Sequence, residues 1–381
     1  MKICAIITEY NPFHKGHFEQ IEFLKNNYSD ICVVSIMSGN IVQRGELAVL
    51  EKYKRAEAAV KMGADIVLEL PYPYSCSSAG YFAGAGVFLA DSIGADMLCF
   101  GSECGDLGLL YKVAKRTLDD EYIFRLQELV QGGKNTSESY ISLYRRAYSE
   151  LYGEEIPEGA NNTLAIEYLR ALIALDSRIV PITNKRTSPY SASATRYFYR
   201  RGEKEMFSYL PEALFEFYSS NKPCTSQDAA KVILWHLANA DSMELSQFAD
   251  VDQGLASRLI SCAQESADLA EFFSKAATKK YTDSRVRRAV FNCLLGVKKD
   301  MLEAPPLYTL LLAASSLGCR TLKEIKKNSR VEIITKPAGY KELNKDVQNA
   351  FLLSCKADAL FFTATGEKIG DILRRSPVIL P

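Results

Sequence analysis

Histidine is scarce in this chain, with three in 381 residues. A zinc centre built on imidazoles needs more ligands than that unless cysteines join them. The ten cysteines are scattered, with no C-x-x-C pair, and Cys99 and Cys104 are the closest two. That spacing disfavours both a zinc ribbon and a disulfide framework, so reduced, buried thiols are expected. Net charge is also missing, because 46 Lys and Arg balance 46 Asp and Glu. Any affinity for a polyanion must therefore come from local clustering. No apolar run is long enough to span a bilayer. The opening MKICAIITEYNP lacks the form of a secretory signal, since its apolar run is short and is followed by Glu9 and Asn11. A cytoplasmic location and no membrane partner are expected. What remains, 48% apolar and 24% charged with no low-complexity tract, is globular composition, at a length that implies two domains.

The first half alternates short apolar runs with helical patterns. Strands are expected at 2–8, 31–37, 64–70, 95–100 and 178–183. Between the first two, Phe18, Ile21 and Leu24 fall at helical spacing. A second helix over 48–62 would carry Val49, Tyr53, Ala56 and Val60 on one stripe and stop at Gly63. Further helices are expected at 78–93, between about 105 and 175, and from 225 to 300. Strands alternating with helices make βαβ units and a parallel sheet. The fold class is therefore α/β, a Rossmann-like domain over 1–222, followed by a mainly helical C-terminal domain over 223–381. In that second part VEIIT (331–335) and ALFFTA (359–364) are possible strands.

Open parallel sheets bind ligands at the carboxyl ends of their strands. Four polar clusters fall at such ends: TEYNPFHKGH, SGNIVQRGE, GSE and NKRTSPYSASATR. Remote in sequence, they are expected to meet in one crevice. The first holds two of the three histidines, His14 and His17. A helix starting near Gly16 would aim free N–H groups and its positive end at an anion. Two imidazoles add directed N–H donors, which suit nucleotidyl transfer, where negative charge grows on phosphate oxygens. The alternatives are that these histidines cap the helix or bind a metal.

NPFHKGH resembles the H-x-G-H signature of the nucleotidyltransferase superfamily, and SASATR (191–196) resembles its second motif, a Ser/Thr-rich turn before a helix and a basic residue. The longer series EYNPFHKGH, MSGNIVQRGE, DIVLELP, CFGSE, NNTLAIEYL, NKR and SASAT resembles the bacterial tRNA(Met) cytidine acetate ligase family. The likeness is close over the first 200 residues and looser through YTDSRVRRA (281–289) and ITKPA (334–338). It implies activation of acetate by ATP as acetyl-adenylate, and transfer of the acetyl group to N4 of the wobble cytidine of elongator tRNA(Met).

The resemblance also implies site residues. ATP would be wrapped by Ile7, Thr8, Glu9, Tyr10, Asn11, Pro12, Phe13, His14, Lys15, Gly16, His17, Phe18, Glu19 and Gln20, with His14 and His17 catalytic. It would also meet Gly101, Asn162, Arg186, Ser193 and Thr195. Each has a structural alternative. Gly101 could serve a turn, Asn162 a helix cap, Arg186 the surface, and Ser193 and Thr195 the cap of the next helix. Lys15 is expected to point to solvent. Gln43, Arg44 and Glu46 could meet acetate or RNA. Leu47 and Ala160 stand where the family often has proline. Magnesium is expected with ATP, held mostly by the phosphates, since no Asp/Glu cluster declares itself as a cage.

Residues 275–299 carry eight Lys or Arg against Asp283 alone. Clustered charge of this kind attracts a phosphate backbone, and Lys279, Lys280, Tyr281, Arg285 and Arg288 are the candidate RNA contacts, with Tyr281 as a stacking ring. The alternative is a solvated helix face. Two other functions compete with the ligase. A small-molecule adenylyltransferase, acting on a mononucleotide or phosphopantetheine, would share the histidines but not need the basic segment. A non-catalytic RNA-binding protein would keep the pocket without turnover.

Overall fold

The computed structural model describes residues 1–132, 139–186 and 190–381. Residues 187–189 of the NKRTSPYSASATR cluster lie outside the described residues. Five strands form the expected parallel core: β1 (Lys2–Thr8), β2 (Ile31–Ser38), β5 (Ile66–Leu70), β6 (Met97–Ser102) and β7 (Val180–Lys185). Two short strands, β3 (Ile41–Val42) and β4 (Glu46–Leu47), make a separate antiparallel ribbon around Gln43, Arg44 and Gly45. The parallel strands run in the order β5-β2-β1-β6-β7. The chain therefore winds one way from β1 through β2 to β5, then crosses back to β6 and β7. The reversal lies between β1 and β6, which is where an open α/β sheet leaves a crevice at its strand ends.

Strand β1 is apolar because both its faces are covered. Ala5 and Ile7 enter one core with Ile36, Leu98 and Phe100. Cys4 and Ile6 enter the other with Val33, Met37 and Met97. Helix Ala79–Ser92 covers the first face and packs on helix Ala160–Ala174. Helix Lys15–Asn27 covers the second through Ile21 and Leu24. The second helix spans Lys52–Lys61 rather than 48–62. Val49 lies ahead of it, where its N–H is held by Asn11 Oδ1 at 2.7 Å.

The C-terminal part departs from expectation. Residues 226–303 are helical, from a short turn at Ser226–Ala229 to Asp300–Glu303. The chain then returns to the sheet. Strand β8 (Tyr308–Ser315) pairs antiparallel with β5, and β9 (Glu332–Ile334) and β10 (Val378–Leu380) pair parallel with β8. The sheet is thus not confined to residues 1–222. ALFFTA is no strand: it lies inside helix Lys345–Thr365. A short apolar run does not separate strand from buried helix by periodicity, and here the flanks continue the helix. This helix is locked to the parallel core by a buried ion cluster. Lys52 Nζ lies 2.9 Å from both carboxylate oxygens of Glu69 and 2.7 Å from Asp358 Oδ2. Asn40 Nδ2 donates to Asp358 Oδ1 at 2.8 Å. All ten cysteines are free thiols.

Candidate active site

His14 ends the loop after β1 and caps helix Lys15–Asn27. Its backbone is extended, with φ −139° and ψ 173°. Its Nδ1 accepts the N–H of Gly16 at 3.0 Å, and His17 Nδ1 accepts the N–H of His14 at 3.2 Å. This is a capping box in which two imidazoles replace the usual hydroxyl and carboxylate. The rings stack with centroids 3.8 Å apart, and Tyr10 and Phe13 close on His17 from 4.9 and 5.5 Å. Burial lowers the His14 pKa to about 3, helped by the positive charges of Arg186 and Arg196. Burial, His14 and Arg186 hold His17 well below the ordinary value near 6.5. Both rings are therefore neutral. Because each Nδ1 accepts, the one proton of each ring sits on Nε2. Capping and donating are not alternatives here: one nitrogen caps and the other keeps a proton to give.

The rest of the first motif builds this pair. Ile7, Thr8, Tyr10, Asn11, Pro12 and Phe13 are buried. Tyr10 Oη shares a 2.9 Å hydrogen bond with Ser35 Oγ, and the Glu9 carboxylate accepts the N–H of Gln43 at 2.8 Å. Burial raises the Glu9 pKa. Lys15 does not run to solvent. Its Nζ donates to Ser208 O at 2.9 Å and lies over the Tyr190 ring. Phe18 packs on the second core. Glu19 is exposed, and Gln20 Nε2 donates to Cys99 O at 3.3 Å. The ring of expected ATP contacts thus divides into residues that carry the histidines and residues facing elsewhere.

Across the crevice, β6 ends at Gly101 and Ser102. A Cβ on Gly101 would stand 3.0 Å from Arg186 Cγ, so the missing side chain lets Arg186 cross the strand end. Arg186 Nη1 donates to Asn161 Oδ1 at 3.1 Å and Nη2 to Tyr190 O at 3.2 Å. Asn162 is not a helix cap. It sits inside helix Ala160–Ala174, and its Oδ1 accepts the N–H groups of Glu103 and Cys104 at 3.0 and 3.2 Å. Glu103 returns the favour to that helix, accepting the N–H of Asn161 at 3.1 Å and of Asn162 at 2.6 Å. These hydrogen bonds hold the Glu103 pKa low against the opposing effect of its partial burial.

The SASATR turn is also rearranged relative to expectation. Ser191 is the cap of helix Ala192–Arg201, with its Oγ accepting from Ala194 N at 3.2 Å. Thr195 is buried and donates to Ser191 O at 2.8 Å. Ser193 Oγ receives Arg196 Nη2 at 3.3 Å. Arg196 Nη1 reaches Asn11 O at 2.8 Å and so joins the two motifs. Arg196 was legible only as the basic residue closing the motif. Arg55 was not legible at all, because the stripe of Val49, Tyr53, Ala56 and Val60 leaves it out. It is wholly buried and donates to Leu50 O at 2.9 Å and Ser38 O at 3.0 Å, with further bonds to Glu9 O and Gly39 O. One guanidinium thereby fastens the loops after β1 and β2.

Relatives carry the same chain plan. A family model described as HIGH Nucleotidyl Transferase matches residues 1–371. A tRNA(Met) cytidine acetate ligase from Caldanaerobacter subterraneus subsp. tengcongensis is 35% identical over 373 residues, covering 91% of each chain. Another, from Thermoanaerobacter sp. (strain X514), is 33% identical over 364 residues, covering 90% of each. The chain belongs to the tRNA(Met) cytidine acetate ligase family. Its fold is that of Thermotoga maritima TmcAL, whose crystal structure bound with alpha-thio ATP gives a TM-score of 0.92 at 27% identity over the whole of both chains.

In this member of the family the basic segment folds differently from its expected use. Tyr281 is 7% exposed and donates to Asp252 Oδ1 at 2.8 Å, so it offers no face to a base. Arg285 pairs with Asp252 at 3.2 Å and Arg288 with Asp250 at 3.0 Å. They do share a helix face, within Asp283–Leu295, but it faces the loop at 250–252. Lys279 and Lys280 are exposed. Among the described residues no group of three or more His, Cys, Asp or Glu forms a metal cage, and no helix is long and apolar enough to cross a membrane.

Proposed function

We propose that this chain uses ATP and acetate to acetylate N4 of the wobble cytidine of elongator tRNA(Met). The observation that carries this reading is the pair of stacked, neutral imidazoles at a helix N-terminus, each capped through Nδ1. An acetate oxygen attacks the α-phosphorus of ATP, and the bond to pyrophosphate breaks. Negative charge grows on the departing phosphates. The Nε2–H groups of His14 and His17, the N-terminus of helix Lys15–Asn27 and the guanidiniums of Arg186 and Arg196 stabilise it. The exocyclic amine of cytidine then attacks the acetyl carbonyl. Its lone pair is delocalised into the ring, so it needs an activated acyl group, and AMP is a good leaving group where free acetate offers none. The C–O bond to AMP breaks and N4 loses one proton.

Several finer points belong to the same proposal. Gly101 leaves room for Arg186 to meet the nucleotide. Asn162 acts by fixing the loop that follows β6. Magnesium arrives on the ATP phosphates, because the carboxylates among the described residues form no cage for it. Residues 1–222 carry the chemistry, the C-terminal region over 223–381 contributes to holding the tRNA, and the protein works in the cytoplasm. The test is incubation with ATP, radiolabelled acetate and unmodified elongator tRNA(Met), with nucleoside analysis by mass spectrometry. ATP-dependent N4-acetylcytidine, absent with other tRNAs, is the expected product. Pyrophosphate release without acetylated RNA would return the substrate to small molecules.

A further inference from the structure

We infer that the cleft lined by Glu46, Ser193, Arg196, Tyr197, Arg200 and Arg201 seats the single-stranded RNA flanking the target cytidine. The inference rests on the acetylation reading and adds the binding surface. The cleft is an open groove of about 410 Å³ between helix Ala192–Arg201 and the β3–β4 ribbon. It adjoins the catalytic crevice, because Arg196, on its wall, holds Asn11 O in the histidine loop.

Its chemistry fits a phosphate backbone with a base beside it. Three guanidiniums line it beside one carboxylate, Glu46; Arg201 is in addition held by Glu203 just outside the cleft, which leaves Arg200 the least satisfied of the three. The nearest approach of Arg200 to that carboxylate is 3.7 Å, and its buried Nε has no hydrogen-bond partner among the described residues. A buried guanidinium N–H left in that state gains from an anionic oxygen. Tyr197 is 55% exposed, on the face of its helix opposite the buried Tyr199. The Arg201 guanidinium backs its ring at 5.0 Å, and Phe198 meets it edge-on. A rigid, exposed ring beside arginines is the platform on which unpaired bases stack. The reaction needs such a surface. A cytidine turned into the crevice for attack draws its neighbours along the rim, and these residues are on that rim. The buried Tyr281 and the paired Arg285 and Arg288 lack these properties.

Tyr197→Ala and Arg200→Gln test the idea, with binding of unmodified tRNA(Met) transcript measured across a salt series. Acetate-dependent ATP–pyrophosphate exchange, measured in parallel, reports on folding and on the nucleotide site. Affinity for the transcript is expected to fall about tenfold in Tyr197→Ala. In Arg200→Gln the log–log salt slope is expected to fall by about 0.7, the amount for one single-strand phosphate contact. Exchange should persist in both. Unchanged affinity and slope in variants that keep exchange would overturn the inference while leaving the acetylation reading intact. A raised KM for ATP with unchanged RNA affinity would overturn it as well, giving the cleft to the nucleotide. Wild-type protein that neither binds nor acetylates the transcript would instead remove the reading beneath it. Should either variant fail to fold, a 4-thiouridine anticodon stem-loop is crosslinked to the wild-type protein. Crosslinks within residues 192–203 support the cleft, and crosslinks confined to 275–299 overturn it.

Discussion

Helix Ala192–Arg201 and helix Asp283–Leu295 each carry three arginines, and the two sets lead different lives. In the second helix every guanidinium meets a carboxylate: Arg285 with Asp252, Arg287 with Asp283, and Arg288 with Asp250. In the first, Arg196 is turned to a backbone carbonyl of the histidine loop, Arg200 is only loosely paired, and Arg201 alone has a close carboxylate, Glu203. The sequence makes the second stretch look more basic, with eight cations across residues 275–299. Half of that charge is nonetheless paired: Lys275 and Arg287 within their own turns, and Arg285 and Arg288 with Asp252 and Asp250 from a loop more distant along the chain. A charge run reports composition along the sequence. A partner feels the charge that remains after the fold has supplied its own counter-ions.

The sharpest way to break this comparison is at the catalytic end. His17→Ala removes one Nε2–H donor and should lower turnover by roughly 10²- to 10³-fold, the scale of losing one donor to developing charge. The lost cap on His14 N–H should cost only about 1 kcal/mol of stability. Full activity in that variant, measured by ATP–pyrophosphate exchange, would end the catalytic assignment. Arg288→Ala should show the opposite pattern. It leaves Asp250 without its guanidinium and should cost about 2 kcal/mol in denaturant melts, with adenylation per folded molecule unchanged. A loss of RNA affinity without a loss of stability would return this helix to the RNA surface.

Gly45→Ala probes the contact between the two halves. Gly45 has φ +75°, and a Cβ there would stand 2.6 Å from the backbone of Arg287 and Arg288. Strain plus overlap should cost about 2 kcal/mol, read as a lowered Tm. An unchanged Tm would show that helix Asp283–Leu295 yields easily against the Q-R-G-E loop. The smallest expected effect is on pH dependence. Both imidazoles are neutral when folded, with the His14 pKa at about 3 against an ordinary value near 6.5. Adenylation should therefore show no histidine limb between pH 5 and 8. The unfolded chain takes up protons on these rings below its own pKa, while the folded chain does not. Stability from their burial is thus complete above about 6.5 and is lost as pH falls toward 3. An activity limb near 6.5 that vanishes in His14→Asn would contradict the neutral pair.

Much of the architecture was legible because it is written in local patterns. The five parallel strands announced themselves as apolar runs that fill both faces of a sheet, and HKGH followed the first of them. The misses share a cause. YTLLLAAS at 308–315 and ALFFTA at 359–364 are both short and apolar. The first became a strand because the exposed edge of β5 was there to pair with it, and the second became helix because its flanks continued the helical stripe. Arg55 was hidden beside Lys52 and Lys54, since nothing local says that its guanidinium turns inward onto backbone carbonyls of two loops.

By itself the sequence determined where the strands and their polar ends lie, that two histidines stand at a helix start, and which family the motifs resemble. Those features depend on residue type and spacing, which the chain carries locally. Only the tertiary structure decided which nitrogen of each imidazole keeps its proton, which arginines face the crevice, and that the C-terminal residues complete the sheet. The imidazoles cap within their own turn but are kept neutral by burial, while the arginines and the C-terminal strands rest on partners tens to hundreds of residues away; burial and such contacts exist only once the fold has brought those partners together.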